Sequence, residues 1–366
     1  MKKIILVVGA RPNFIKIAPL HRALCRYSHD LISLICHTGQ HFDQNMSKIF
    51  FEELALPEPH FFLGVGGGSH ADQTGRIMIG FEKILEREKP DLVIVPGDVN
   101  STLACSVVAA KTGTHLAHVE AGLRSFDRSM PEEINRIVTD ILCDYLFVSE
   151  PSGLINLRKE GIDQGKIFYV GNIMIDSLVQ YQPRIMKSTV LKQLHLRKKE
   201  YILVTFHRPN NVDTRETLSE VVEFLNRLAR RKKIVFPVHP RTMINLKKYE
   251  LRNKVSNDVI LLDPVGYIDF LQLTRNAGLV ITDSGGIQEE TTYLSVPCIT
   301  IRDNTERPVT VETGTNVLAG TNLPEAEKEA NNILNGKMKK GSIPELWDGK
   351  TAERIASIIM QKLVVG

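Results

Sequence analysis

The chain has 366 residues, 43% of them apolar and 24% charged, with 46 Lys and Arg against 42 Asp and Glu for a net charge of +4. That length exceeds what one hydrophobic core usually serves, so two domains are expected. The near-balance of charge, the single Trp and the lack of aromatic-basic interleaving argue against a nucleic-acid partner, and no apolar run approaches the ~20 residues of a membrane span.

The first residues, Met1-Lys2-Lys3 and an apolar stretch to Ala10, have the outline of a signal peptide. The stretch is too short, and Arg11-Pro12 breaks it without a cleavage-type sequence. From there, β-branched runs predict strands at 4–8, 31–36, 92–96, 116–119, 145–148 and 167–170, then at 202–206, 234–238, 259–262, 279–282, 298–301 and 316–318. Helical spacing predicts helices that include 13–27, 43–54, 75–88 and 216–231, and a last one at 351–363 with Ile355, Ile358, Ile359 and Leu363 on one face. Such alternation implies parallel sheets covered by helices on both faces. Two sets of it imply two doubly wound, Rossmann-like domains. The strand rhythm stops after Gly171, which puts the boundary between there and Glu200.

The basic run Arg230-Arg231-Lys232-Lys233 closes a helical pattern and reads as a solvated helix C-terminus. The cysteines, Cys25, Cys36, Cys105, Cys143 and Cys298, are odd in number and form no C-x-x-C pair. They read as reduced thiols of a cytoplasmic protein.

Open α/β sheets bind ligands beyond the carboxyl ends of their strands. Here those positions carry Arg11, Asp98, Glu120, His207 and His239. Two domains whose strand ends face each other would gather these groups in one cleft. The run Thr282-Asp283-Ser284-Gly285-Gly286 turns from a strand into a helix, and a helix start with two glycines suits a phosphate. Glu290, further along that helix, leans back toward its N-terminus and reaches a sugar hydroxyl beside the phosphate. Each residue has a plainer reading. Asp98 after Gly97 also suits an Asx-turn. Glu120 also suits an ion pair with Arg124. Glu132 and Glu133 after Pro131 also suit the first turn of a helix. Adjacent helical residues point ~100° apart, so one of those two faces the cleft, with Ile134, Ile137, Val138 and Ile141 as the buried stripe behind them. His207 also suits a core histidine. His37, His41, His118 and His239 are weaker candidates, and their spacing suggests no metal site.

Taken together, Gly9-Ala10-Arg11-Pro12 with Lys16, His37-Thr38-Gly39-Gln40-His41, Gly97-Asp98 with Asn100-Ser101-Thr102, His118-Val119-Glu120-Ala121-Gly122-Leu123-Arg124, Pro131-Glu132-Glu133 with Asn135-Arg136, His207-Arg208, Asp283-Ser284-Gly285-Gly286 with Gln288-Glu289-Glu290, and Arg302-Asp303 with Thr305-Glu306-Arg307-Pro308 resemble the UDP-N-acetylglucosamine 2-epimerases, in order and spacing, from about residue 4 to about residue 320. The non-hydrolysing branch is the nearest.

The resemblance implies a glycosyltransferase-B-like fold, α/β, with two Rossmann-like domains and a central cleft. Residues 1–172 would carry the catalytic carboxylates, 173–350 would bind UDP, and the helix at 351–366 would return to the first domain. The implied reaction interconverts UDP-N-acetylglucosamine and UDP-N-acetylmannosamine, through anti elimination of UDP, a 2-acetamidoglucal and readdition, with no cofactor and no metal. Asp98, Glu120, Glu132 and His207 would be catalytic, with Glu132 favoured over Glu133. Arg11, Lys16, Val265, Phe270, Ser284, Gly285, Gly286, Glu290 and Arg307 would bind substrate. Gln40, Gln44 and Arg208 would belong to an allosteric site. The family's His-Arg-Arg-Glu-Asn is His207-Arg208-Pro209-Asn210-Asn211 here, which puts that regulation in doubt. A homodimer in the cytoplasm, supplying surface polysaccharide precursors, is implied as well. The alternatives are a 2-epimerase of a UDP-2,3-diacetamido uronic acid, a hydrolysing 2-epimerase, a glycosyltransferase of the same fold, and a non-catalytic sensor of nucleotide sugars.

Overall fold

The computed structural model describes residues 1–39 and 53–365. Gln40, His41, Gln44 and most of the helix expected at 43–54 lie outside them. The chain divides into two compact units, Met1–Gln180 with Glu345–Gly366, and Tyr181–Pro344.

The first unit is a seven-stranded sheet in the order β3-β2-β1-β4-β5-β6-β7. Its strands are β1 Lys2–Val8, β2 Leu31–His37, β3 Phe61–Phe62, β4 Leu92–Pro96, β5 His115–Ala121, β6 Tyr145–Val148 and β7 Ile167–Tyr169. All pairings are parallel. β4 is buried at every position, as expected of a strand covered on both faces. The two-residue β3 is too short to show a periodicity and was not expected.

The second unit is a six-stranded parallel sheet in the order β10-β9-β8-β11-β12-β13. Its strands are β8 Tyr201–Thr205, β9 Lys233–Pro237, β10 Val259–Leu262, β11 Leu279–Thr282, β12 Cys298–Thr300 and β13 Asn316–Leu318. Both units are doubly wound α/β sheets of the glycosyltransferase-B type. In each, the strand order reverses at one place, between β1 and β4 and between β8 and β11. Diverging connections open a crevice at such a point.

The division between the units lies within the expected window of 171–200, though beyond 172, and the return to the first unit comes before 351. The division falls at Gln180 and Tyr181, inside the continuous helix Ile173–Lys187, because the first half of that helix belongs to the first core. Ile175 and Leu178 are buried there, and Ser177 Oγ donates to the Ile15 carbonyl at 2.5 Å. The chain rejoins the first unit at Glu345 rather than at 351. Trp347, 1% exposed, donates from Nε1 to the Ser149 carbonyl at 3.1 Å. The last helix, Thr351–Met360, lies against helix Arg11–Cys25, and Asp176 caps it by accepting from the Thr351 and Ala352 N–H groups at 3.1 and 2.7 Å.

Helices α1 (Arg11–Cys25) and α2 (His70–Glu88) cover those expected at 13–27 and 75–88, and α3 spans Asn100–Lys111, but α4 (Pro131–Leu142) is turned over. Its buried residues are Glu133, Asn135, Arg136, Thr139 and Asp140, whereas Ile134 is 49% and Ile141 60% exposed. The apolar stripe expected inside is therefore largely outside. The polar face is buried because the strand ends require its side chains. No described helix is long and apolar enough to cross a membrane. All five cysteines are free thiols, four buried and Cys25 exposed.

Candidate functional site

In the first unit the site begins where β1 and β4 end side by side. The Gly9 and Ala10 N–H groups donate to Asn13 Oδ1 at 3.1 and 2.9 Å, and Asn13 Nδ2 donates to the Pro96 carbonyl at 3.1 Å. One side chain thus ties the two turns. Gly97 has φ +66°, where any other residue is strained, and a Cβ there would stand 2.9 Å from Lys16 Nζ. Lys16, 5% exposed, lies 2.5 Å from Glu120 Oε2. Glu120 has φ +74° and sits where the β5–β6 register shifts between Val119 and Ala121. A bulge that forces a non-glycine residue into the left-handed region is strain of the kind found at functional sites.

Asp98 accepts from Arg136 Nε at 3.0 Å and Nη2 at 2.8 Å, and Asn135 Nδ2 donates to its carbonyl at 2.8 Å. Arg136 Nη1 also donates to Glu133. Glu133 accepts the Ser125 and Phe126 N–H groups, each at 2.9 Å. Glu133 is therefore buried as an organiser of the loop before α4, and its neighbour Glu132 is half-buried. Below them, His118 Nδ1 lies 2.6 Å from Asp140 Oδ1 and its Nε2 2.7 Å from the Gly97 carbonyl. Asp140 also meets Arg124 Nη1 at 2.7 Å. Burial would raise the Asp140 carboxyl, but His118 and Arg124 hold it below its ordinary value.

In the second unit the ends of β8 and β11 carry His207 and Asp283. The register Thr205↔Thr282 brings the residues after the strands together. His207 Nδ1 lies 2.7 Å from Asp283 Oδ1. Asp283, fully buried, accepts the His207 and Arg208 N–H groups at 2.9 Å each and Asn211 Nδ2 at 3.1 Å. Burial would raise its carboxyl, but His207 and these donors hold it below the ordinary value. An acid fixed in this way sets the orientation of the ring and leaves Nε2 as the working nitrogen.

Helix Gly285–Tyr293 begins at Ser284. A Cβ on Gly285 would stand 2.7 Å from Arg307 Nη1, so this glycine makes room for a side chain of its own unit. Arg307, 6% exposed, lies 2.7 Å from Glu289 Oε1 and 2.7 Å from Glu306 Oε1. Gln288 Oε1 accepts from Thr305 Oγ1 at 2.7 Å and Asn316 Nδ2 at 3.1 Å, and its Nε2 donates to the Ser284 carbonyl at 3.3 Å. The helix start is thereby held from beneath.

A family model described as UDP-N-acetylglucosamine 2-epimerase matches residues 24–360. The chain belongs to the UDP-N-acetylglucosamine 2-epimerase family. A UDP-N-acetylglucosamine 2-epimerase of Methanocaldococcus jannaschii is 45% identical over 364 residues, covering 98% of each chain. A UDP-2,3-diacetamido-2,3-dideoxy-D-glucuronate 2-epimerase of Pseudomonas aeruginosa is 40% identical over 360 residues, covering 98% of this chain and 99% of that one. The crystal structure of the Methanocaldococcus jannaschii enzyme in complex with UDP-GlcNAc and UDP superposes with a TM-score of 0.90 at 45% identity, covering 98% of this chain and 99% of that one.

In this member of the 2-epimerase family, Lys16, Asp98, Glu120 and Glu132 belong to the first unit, with Arg11 half-buried at the first position of α1. His207, Arg208, Ser284, Gly285, Gly286, Glu290 and Arg307 belong to the second unit. Glu290 is 4% exposed. Val265 and Phe270 are partly buried against a core cluster that includes Tyr201 and Leu203. Glu120 pairs with Lys16 rather than with Arg124, which is taken by Asp140 and Glu160. Arg307 has its charge balanced by two acids, Glu289 and Glu306. Burial lowers His37 to about 4. No group of His, Cys, Asp and Glu among the described residues could hold a metal ion.

Sequence reasoning missed Arg136, Glu133, Asp140 and Asp283 as supports, and treated His118 as a weak candidate. The available signal was that Glu133, Arg136 and Asp140 recur at helical spacing on one face.

Proposed function

We propose that this chain inverts C2 of a UDP-linked 2-acetamido sugar without hydrolysing it, with UDP-N-acetylglucosamine and UDP-N-acetylmannosamine as the pair. The observation that carries the reading is the Lys16–Glu120 pair beside the Gly97–Asp98 turn, in a family whose Methanocaldococcus jannaschii member is crystallised with UDP-GlcNAc and UDP.

Abstraction of the weakly acidic C2 proton needs a positioned carboxylate, and delivery of a proton to the opposite face needs a second acid. Asp98, Glu120 and Glu132 are the carboxyls assigned to these steps. As the C2–H bond breaks, its electron pair forms the C1–C2 double bond, and UDP leaves with the electrons of the C1–O bond. Readdition reverses this with C2 inverted. His207, oriented by Asp283, stabilises the departing phosphate, with Arg11, Lys16 and the helix start at 284–286 contributing. Arg307 acts by fixing Glu289 and that helix start. Val265 and Phe270 hold the uracil, and Glu290 the ribose. The fold works as a homodimer, and the exposed apolar side of α4, with Ile134 and Ile141, supports a second copy as its cover. The product supplies surface polysaccharide precursors. Arg208 belongs to the regulatory site together with Gln40 and Gln44, which lie outside the described residues.

The test is NMR of the purified protein with UDP-N-acetylglucosamine in D2O. The product should carry deuterium at C2. Retention of the original proton would sink the mechanism, and accumulation of free N-acetylmannosamine with UDP would move the chain to the hydrolysing branch. A second reading, a UDP-2,3-diacetamido uronic acid as substrate, rests on the 40% identity to the Pseudomonas aeruginosa enzyme. Faster turnover of that sugar in the same assay would select it.

A further inference from the structure

His118 lies in the middle of β5 with no exposed surface, and both of its ring nitrogens face acceptors. Nε2 is 2.7 Å from the Gly97 carbonyl, which only accepts. Nδ1 is 2.6 Å from Asp140 Oδ1. The other Asp140 oxygen accepts the Gly122 N–H at 3.0 Å and lies 2.7 Å from Arg124 Nη1, so this carboxylate too only accepts. Either neutral tautomer would press a bare nitrogen lone pair against an oxygen lone pair in a buried site, where unsatisfied polar groups cost most. The His118–Asp140 pair therefore holds one proton on Nε2 toward the Gly97 carbonyl and one between Nδ1 and Asp140 Oδ1. Arg124, which meets the other Asp140 oxygen, is also 2.6 Å from Glu160 through Nη2.

The ends of this clamp are informative. Gly97 immediately precedes Asp98. Gly122 follows two residues after Glu120 and has φ +79°, and a Cβ there would stand 2.5 Å from the Gly153 carbonyl. Asp140 is four residues beyond Arg136, which holds Asp98. The ring therefore ties the turn that presents Asp98, the bulge that presents Glu120 and the helix that presents Glu132. We infer that His118 is a positioning residue that locks the three carboxyl-bearing segments together through the Gly97 carbonyl and Asp140. This role rests on the proposed acid–base function of those carboxyls.

The experiment begins with the wild-type protein labelled with 15N-histidine. One buried imidazole should show both ring nitrogens engaged in hydrogen bonds. A ring with one nitrogen free of any hydrogen bond overturns the proposal. His118→Gln is then read in two ways. Hydrogen exchange at the Gly122 amide should accelerate at least about tenfold, which reports the clamp without any catalysis. With the sugar that wild type epimerises, kcat should fall by about a hundredfold with KM within about threefold, since an ångström of misplacement costs on this order. An unchanged kcat, or a kcat loss matched by KM, overturns the positioning role. If wild type epimerises neither UDP-sugar while the doubly hydrogen-bonded ring and the Gly122 effect are both present, the functional reading fails and the clamp stands. Should His118→Gln not fold, His118→Asn carries the same two readouts.

Discussion

The two strand-end clusters hold their acids by different means. In the second unit Asp283 is met by two backbone N–H groups, an amide and an imidazole, so the fold itself fixes it in the ionised state. In the first unit Asp98 and Glu120 are met by side-chain cations, Arg136 and Lys16. A carboxylate surrounded by backbone donors is a poor proton carrier. One paired with a side-chain cation keeps company that can shift when a substrate arrives. In the proposed mechanism this difference suits Asp283 to orientation and the first-unit acids to proton transfer.

The largest expected effect breaks that comparison directly. Asp98→Asn, Glu120→Gln and Glu132→Gln keep size and remove proton transfer, which typically contributes about 10²–10⁴-fold. At least two of the three should lose that much kcat while still binding UDP in calorimetry. Near-normal epimerisation by all three would mean that the acids had been assigned to the wrong task. Glu133→Gln is the contrast to Glu132→Gln. Its loss should appear as a lowered denaturation midpoint, because Glu133 holds the loop at Ser125 and Phe126.

Next in size is Arg136→Met. It leaves Asp98 and Glu133 without their shared guanidinium, and breaking a buried pair by removing one partner costs about 3–5 kcal/mol. Urea unfolding should show a loss of that order. A loss below about 1 kcal/mol would show that the pair behaves as a surface one.

A smaller effect sharpens the role of the second unit. Glu290→Ala should weaken UDP binding by roughly one to two decades, the worth of a charge-assisted hydrogen bond of about 1.5–3 kcal/mol. Unchanged affinity in calorimetry would remove Glu290 from the ribose.

Much of the fold was legible because the strands are continuous apolar runs bounded by turn residues. β4, β6, β10, β11 and β13 occupy the expected residues. α4 was misread for a physical reason. The spacing of its apolar residues shows that its two faces differ in polarity, but not which face the fold needs, and here the polar face is the one buried. The candidates at the strand ends were visible as residue types. What holds them was not, because His118 and Asp140 are brought together by the packing of α4 against β5, and His207 and Asp283 by the β8–β11 register. Nothing local in the sequence records either.

The smallest effect concerns a third buried acid. Asp176, like Asp283, accepts two backbone N–H groups, yet its carboxyl stands at about 6, raised by burial against those donors, with Asp348 adding to the rise. Asp283 has the His207 ring and the Asn211 amide beside it, and Asp176 has neither. A folded-state value above the unfolded one, about 3.9, means that folding favours the protonated form. The contribution to stability is then full below about pH 4 and is lost as pH rises through about 6. Its size is on the order of 1–3 kcal/mol, and it acts on the docking of helix Thr351–Met360. Asp176→Asn cannot titrate. The gap between wild type and variant in urea unfolding should therefore move against wild type by that amount between pH 4 and pH 7, other groups cancelling in the difference. Parallel stability curves would show that the two N–H donors suffice to hold Asp176 ionised without such a ring and amide.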